Sequence, residues 1–145
     1  MSAASGPTPR PPARVSLEWR DGLRFAGTAE THEITLDGDG AAGISPVQAL
    51  VLALAGCMAS DLVHILTRGR LPLRGLRAQL EARRADEEPR RLTALSLHFR
   101  IEGEVPPDKV QRAIDLSREK YCSVWHSLRP DIDFRTSFEV APARS

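Results

Sequence analysis

The segment from Ser45 to Ala59, SPVQALVLALAGCMA, constrains this chain more than any other stretch. Ser45 is a good N-cap, and Pro46 fits the first helical position because its missing N–H is not needed there. Gln48 completes an S-x-x-Q capping box. From Ala49 to Ala59 the sequence is apolar on every face of a helix, which predicts burial all round, as a central helix, rather than an amphipathic surface position. Ser60, Asp61, His64 and Arg68 then restore polar character, and Gly69 and Pro72 end the element. A bilayer span needs about 20 predominantly apolar residues. The strictly apolar run is shorter than that, so a buried helix is expected and no membrane partner.

The flanking sequence reads as strands. Val15, Leu17 and Trp19 alternate with Arg14, Ser16 and Glu18, and Asp21-Gly22 marks a hairpin turn before a second strand, Leu23 to Ala29. A third, Glu33 to Leu36, runs into the loop Asp37-Gly38-Asp39-Gly40. Beyond the helix, Leu76, Ala78, Leu80 and Ala82, then Leu95, Leu97, Phe99 and Ile101, alternate with polar partners as in a half-exposed antiparallel sheet. Pro106-Pro107-Asp108 opens a second helix with Val110, Ala113, Ile114, Ser117 and Tyr121 on one face, and Ile132 to Val140 forms a last strand. The order is βββ-α-ββ-α-β, an α+β pattern. The expected organisation is a disordered Pro-rich leader at residues 1–13, a single domain at 14–141 and a tail at 142–145.

A chain of 145 residues can bury a core without disulfides or metals. With Lys+Arg at 20 and Asp+Glu at 19, the net charge of +1 supplies no field for wrapping nucleic acid, so no nucleic-acid partner is expected. Met1 to Pro12 has no apolar core of the kind a signal peptide needs, which points to a cytoplasmic protein.

Two cysteines carry the candidate chemistry. Cys57 lies inside the apolar helix, either as a small hydrophobe packed in the core or as a nucleophile that needs a cation from another segment or subunit. Cys122 with His126 four residues on could share a face of a continuous helix as a thiol–imidazole pair. Adding Cys57 and His64 would give a Cys2His2 set, but the spacing matches no zinc-finger pattern, and no metal is expected. Ser60, Asp61 and His64 have hydrolase residue types without a nucleophile elbow.

The stretch Ser45 to Cys57, continuing through Asp61-Leu62-Val63-His64, resembles the central-helix signature of the OsmC/Ohr family. Glu119-Lys120-Tyr121-Cys122-Ser123-Val124 resembles its second-cysteine signature, particularly in the YhfA-like branch. The resemblance implies the OsmC-like fold, antiparallel sheets around a long central helix in an intertwined homodimer. It also implies a thiol peroxidase acting on organic hydroperoxides, with an antioxidant role. Cys57 would then be the peroxidatic cysteine and Cys122 the resolving one, in a redox-active disulfide reset by an external dithiol rather than by a resident cofactor. Arg20 resembles the family arginine that stabilises the thiolate, with Arg24 as the fallback.

At one place the chain departs from the family pattern. The carboxylate that holds the arginine normally follows the Pro, and here Val47 and Gln48 stand there. Gln48 can bond a guanidinium but offers no charge-assisted clamp. The alternative is therefore an OsmC-like redox-sensing or small-ligand-binding protein with weak or no peroxidase turnover.

Overall fold

The computed structural model describes residues 6–143. The expected leader and tail fall partly outside that range. The chain forms two compact units, residues 1–46 and 47–145, and each is described in its own terms.

The first unit is an antiparallel sheet of β1 (Ser16–Asp21), β2 (Arg24–Ala29) and β3 (His32–Asp37). Gly22 adopts φ +52 in the first turn, where the Trp19 indole N–H donates to its carbonyl at 2.9 Å. The register pairs Leu17 with Gly27 and Gly27 with Ile34, so the apolar side chains share one face. After β3 the Asp37 carboxylate accepts from the Asp39 and Ala42 amides, each at 2.9 Å, and so folds the glycine-rich loop around itself. Gly43 then passes close to Thr35, whose carbonyl oxygen would lie 2.5 Å from any Cβ placed there.

The second unit holds the core. It contains α1 (Pro46–Arg68), β4 (Leu73–Arg84), β5 (Leu92–Gly103), α2 (Pro107–Leu116), a π-helical turn (Ser117–Tyr121), the short α3 (Ser123–His126) and β6 (Asp133–Ala141). Leu95, Leu97, Phe99 and Ile101 of β5 point inward, as their alternation predicts. They meet Leu54, Ala55, Met58, Leu62 and Leu66 of α1 and Val110, Ala113 and Ile114 of α2. Each fully buried leucine or phenylalanine contributes about 1.5–3 kcal/mol of transfer free energy.

Three features differ from the sequence-based expectation. The strand β6 pairs with β5 in parallel, whereas β4 and β5 are antiparallel. A helical connection between β5 and β6 is long enough for a parallel crossover, and nothing in strand alternation records direction. Burial of α1 is one-sided: Leu52 is 62% exposed, with Leu50 and Val63 at 40%. One three-stranded sheet and the elements between its strands cover only one side of a 23-residue helix. The third is α2, which ends at Leu116 because the chain widens into the π turn.

By length and by mean hydropathy (2.0) α1 also meets the criteria for crossing a bilayer. Its Leu54, Met58, Leu62 and Leu66 side chains are instead packed among protein side chains.

A candidate thiol redox site

Both cysteines belong to the second unit and both are free thiols. Cys57 is half-buried on α1, beside Met58 and against the core. Cys122 has no exposed surface. Its placement comes from the π turn, in which the Cys122 N–H donates to the Ser117 carbonyl at 2.7 Å, five residues back. An α-helical repeat would carry the buried stripe from Ser117 to Tyr121. The wider turn shifts the phase by one residue. Cys122 therefore takes the inward position and Tyr121 is left 49% exposed.

At Cys122 the helical path breaks (φ −72, ψ 100), and its sulfur caps α3 by accepting from the Trp125 N–H at 3.3 Å. The two thiols are close enough for Cys57 to influence the titration of Cys122. Burial, more than any other influence, pushes the Cys122 thiol up to about 11. The Trp125 N–H offsets part of this, and a hydrogen bond with Cys57 adds to it. A hydrogen bond that raises an acid's pKa is one its protonated form donates. Both burial and the neighbouring Cys57 thus favour the protonated form of the Cys122 thiol.

Surrounding contacts hold Cys122 in place. Ser117, fully buried, donates its hydroxyl to the Asp61 carboxylate of α1 at 2.7 Å. The Arg118 guanidinium lies 4.8 Å from the Phe134 ring centroid and 5.9 Å from that of Trp125, and the two rings are 4.6 Å apart. The His126 Nε2 donates to the Arg118 carbonyl at 2.9 Å, which fixes its tautomer. The continuous helix expected to carry both Cys122 and His126 on one face is absent, because the helical path breaks at Cys122, which stands outside α3 as its N-cap. Ser60 donates to the Gly56 carbonyl at 2.7 Å while Asp61 bonds Ser117, so Ser60, Asp61 and His64 form no relay.

Along the α1 face that carries Cys57, spacings of four and seven residues bring Asp61 and His64 into line. They join Ile65, Arg68 and Tyr121 around an open groove of about 420 Å3.

The expected arginines lie in the first unit, and their ion-pair partners are local. Arg20 Nη1 is 2.8 Å from Glu18 Oε1, and Arg24 pairs with Asp21. Gln48 sits in the first turn of α1. Nine residues are two and a half helical turns, so Gln48 projects from the side opposite Cys57, about 13 Å away along the axis. Sequence reasoning missed Ser117 as an anchor. The available signal was a small hydroxyl on an otherwise apolar stripe, which needs a buried partner.

A half-buried and a fully buried thiol in contact, one on a long apolar helix and the other after a π turn, define a thiol-pair protein of α+β architecture. The OsmC-like protein family model matches residues 37–137, and the chain belongs to that family. The Escherichia coli K12 protein YhfA is 39% identical over 133 residues, covering 90% of this chain and 99% of that protein. Among solved structures, a hypothetical protein from Aquifex aeolicus superposes with a TM-score of 0.86 at 25% identity, covering 93% of this chain and 100% of that one. An organic hydroperoxide resistance protein OsmC from Legionella pneumophila gives 0.67 at 14% identity, covering 92% and 100%, and shares the fold.

Proposed function

We propose that this protein reduces organic hydroperoxides through Cys57 and Cys122, as a cytoplasmic homodimer without a resident cofactor. The observation that carries the reading is the asymmetry of the thiol pair. Cys57 is half-buried on the long helix, whereas Cys122 is fully buried and its thiol is pushed up to about 11.

The Cys57 thiolate attacks one oxygen of the O–O bond, which breaks. The departing alkoxide takes a proton and leaves as the alcohol, and Cys57 becomes a sulfenic acid. Cys122 then gives up its proton and its sulfur attacks the sulfenic sulfur. Water departs and the Cys57–Cys122 disulfide remains. An external dithiol reduces it by exchange, passing through a mixed disulfide. Arg20 is assigned to hold the thiolate, with Arg24 as the alternative, and Gln48 to orient the guanidinium. Since Gln48 faces away from Cys57 on its own helix, that role requires the second copy. The exposed Leu52 and Val63 side of α1 supports a dimer, because apolar surface on a helix this long is normally covered.

The test is intact mass and free-thiol count before and after one equivalent of an organic hydroperoxide. Wild type should lose both thiols and the mass of two hydrogens. Cys122→Ser should stop at a sulfenic acid, and Cys57→Ser should not react.

A second reading has its own observation, the absence of a carboxylate at Val47 and Gln48. A redox-sensing or ligand-binding protein would oxidise stoichiometrically but fail to cycle with any dithiol. Sustained turnover excludes it.

A further inference from the structure

The redox pair is built from elements far apart in sequence, and the main chain around Cys122 is irregular. The widened turn of Ser117–Tyr121 leads into an extended residue, and only then does α3 begin. Such a segment has more than one way to place a side chain. A disulfide tolerates little variation, since its sulfurs must come within about 2.05 Å at a dihedral near 90°.

Ser117 is where this irregular segment is tied down. Its carbonyl accepts the Cys122 N–H at 2.7 Å, closing the π turn, and its hydroxyl donates to Asp61 at 2.7 Å. Asp61 lies one turn beyond Cys57 on the same face of α1. The chain thus runs in a closed loop, from Cys57 along one helical turn to Asp61, across the hydroxyl to Ser117, and through the π-turn bond to Cys122. A neutral donor to a carboxylate is a charge-assisted bond, roughly twice as strong as a neutral one. Ser117 is fully buried, so water does not compete for its hydroxyl.

We propose that Asp61 and Ser117 are positioning residues for disulfide closure, holding the resolving thiol against Cys57. The inference rests on the redox-pair reading above and deepens it. Neither residue touches the peroxide or exchanges a proton with it. The tether raises the effective concentration of Cys122 at Cys57 and leaves the attack of Cys57 on peroxide untouched.

The test equilibrates the whole protein in glutathione redox buffers and reads the fraction of Cys57–Cys122 disulfide, a measurement independent of peroxide chemistry. In parallel, stopped-flow follows Cys57 oxidation by an organic hydroperoxide, and a thermal melt follows folding. Ser117→Ala should lower the effective concentration tenfold or more, which for this two-electron couple moves the potential by about 30 mV toward easier reduction. The rate of Cys57 oxidation should stay within about threefold of wild type. Ser117→Thr keeps the hydroxyl and should restore closure. Asp61→Asn keeps an amide oxygen as a weaker acceptor and should fall between the two.

Closure in Ser117→Ala equal to wild type would overturn the proposal. So would parallel losses of closure and Cys57 oxidation that track melting temperature across all three variants, because a merely structural bond predicts them. If Ser117→Ala does not fold, unchanged closure in Asp61→Asn overturns it equally. Failure of the peroxidase reading appears separately, as wild type that forms the disulfide in glutathione but consumes no hydroperoxide.

Discussion

The two units of this chain solve the burial problem differently. In the second, a sheet, α1 and α2 enclose a continuous cluster from Leu54 to Phe134. In the first, Ala26 and Asp37 are the buried residues among those described, while Val15, Leu17, Trp19, Leu23 and Ile34 are all at least 50% exposed. A three-stranded sheet that leaves its apolar side chains exposed gains little from their burial, and an exposed apolar face of this kind marks a surface for packing. The two thiols therefore sit in the unit that buries its own core, whereas the arginines proposed to assist them sit in the unit that leaves its apolar face exposed.

The largest expected effect tests where the chemistry resides. Cys57→Ser should reduce hydroperoxide consumption to background with little change in melting temperature, measured by a peroxide-loss assay beside a thermal melt. Next comes the contrast in packing. Phe99→Ala in the second unit should cost about 3–5 kcal/mol in chemical denaturation. Trp19→Ala in the first should stay within about 0.5 kcal/mol if its face is bare in solution. A cost several times larger, together with a dimer mass by sedimentation that Leu52→Asp converts to monomer, would show that a second copy covers these surfaces.

Much of the second unit is legible in the sequence because its strands and α1 announce themselves by period. The alternation of Leu95 to Ile101 gives β5 and its inward face, and Ser45-Pro46 gives the start of α1. Three features leave no local trace. Strand direction in β5 and β6 is set by the crossover. The bare side of α1 arises because apolar residues read the same whether a protomer or a partner covers them. The π turn is invisible because Val110, Ala113, Ile114 and Ser117 keep the α-helical period up to the residue where it changes. The contact between Cys57 and Cys122 follows from that turn, so periodicity alone points to Tyr121 as the buried residue. The family resemblance singled out Cys122 without supplying the reason for its burial.

A smaller effect separates the two candidate arginines. A hydrogen bond to a charged group is worth about 1.5–3 kcal/mol. Arg20→Ala should therefore slow Cys57 oxidation by roughly ten- to a hundredfold in stopped-flow, while Arg24→Ala leaves it within about threefold. The reverse ranking would assign the role to Arg24 and leave Arg20 as the partner of Glu18.

The subtlest prediction is that the two units lose stability at opposite ends of the pH scale. In the first, the amides of Ala42 and Asp39 hold the Asp37 carboxyl below its ordinary value of 3.8. A carboxyl depressed on folding contributes stability that is present above the unfolded pKa and lost as pH falls through the folded one, hence below about pH 4. In the second, burial raises the Cys122 thiol from 9.0 to about 11. That contribution is full below pH 9 and is lost as pH climbs from 9 through 11. Asp131, paired with Arg129, and Glu139, beside His98 and Arg100, are also lowered. They sit in exposed ion pairs that solvent screens, so the acid limb of the second unit should be shallow. The chain has two tryptophans, Trp19 in the first unit and Trp125 in the second, so each unit carries its own fluorophore. Urea titrations of Trp125→Phe and Trp19→Phe across pH should show the acid limb mainly through Trp19 and the alkaline limb mainly through Trp125. Asp37→Asn should flatten the former and Cys122→Ala the latter. Limbs that coincide for both fluorophores would mean that the units unfold as one cooperative body, with the exposed first sheet stabilised by contacts it does not make by itself.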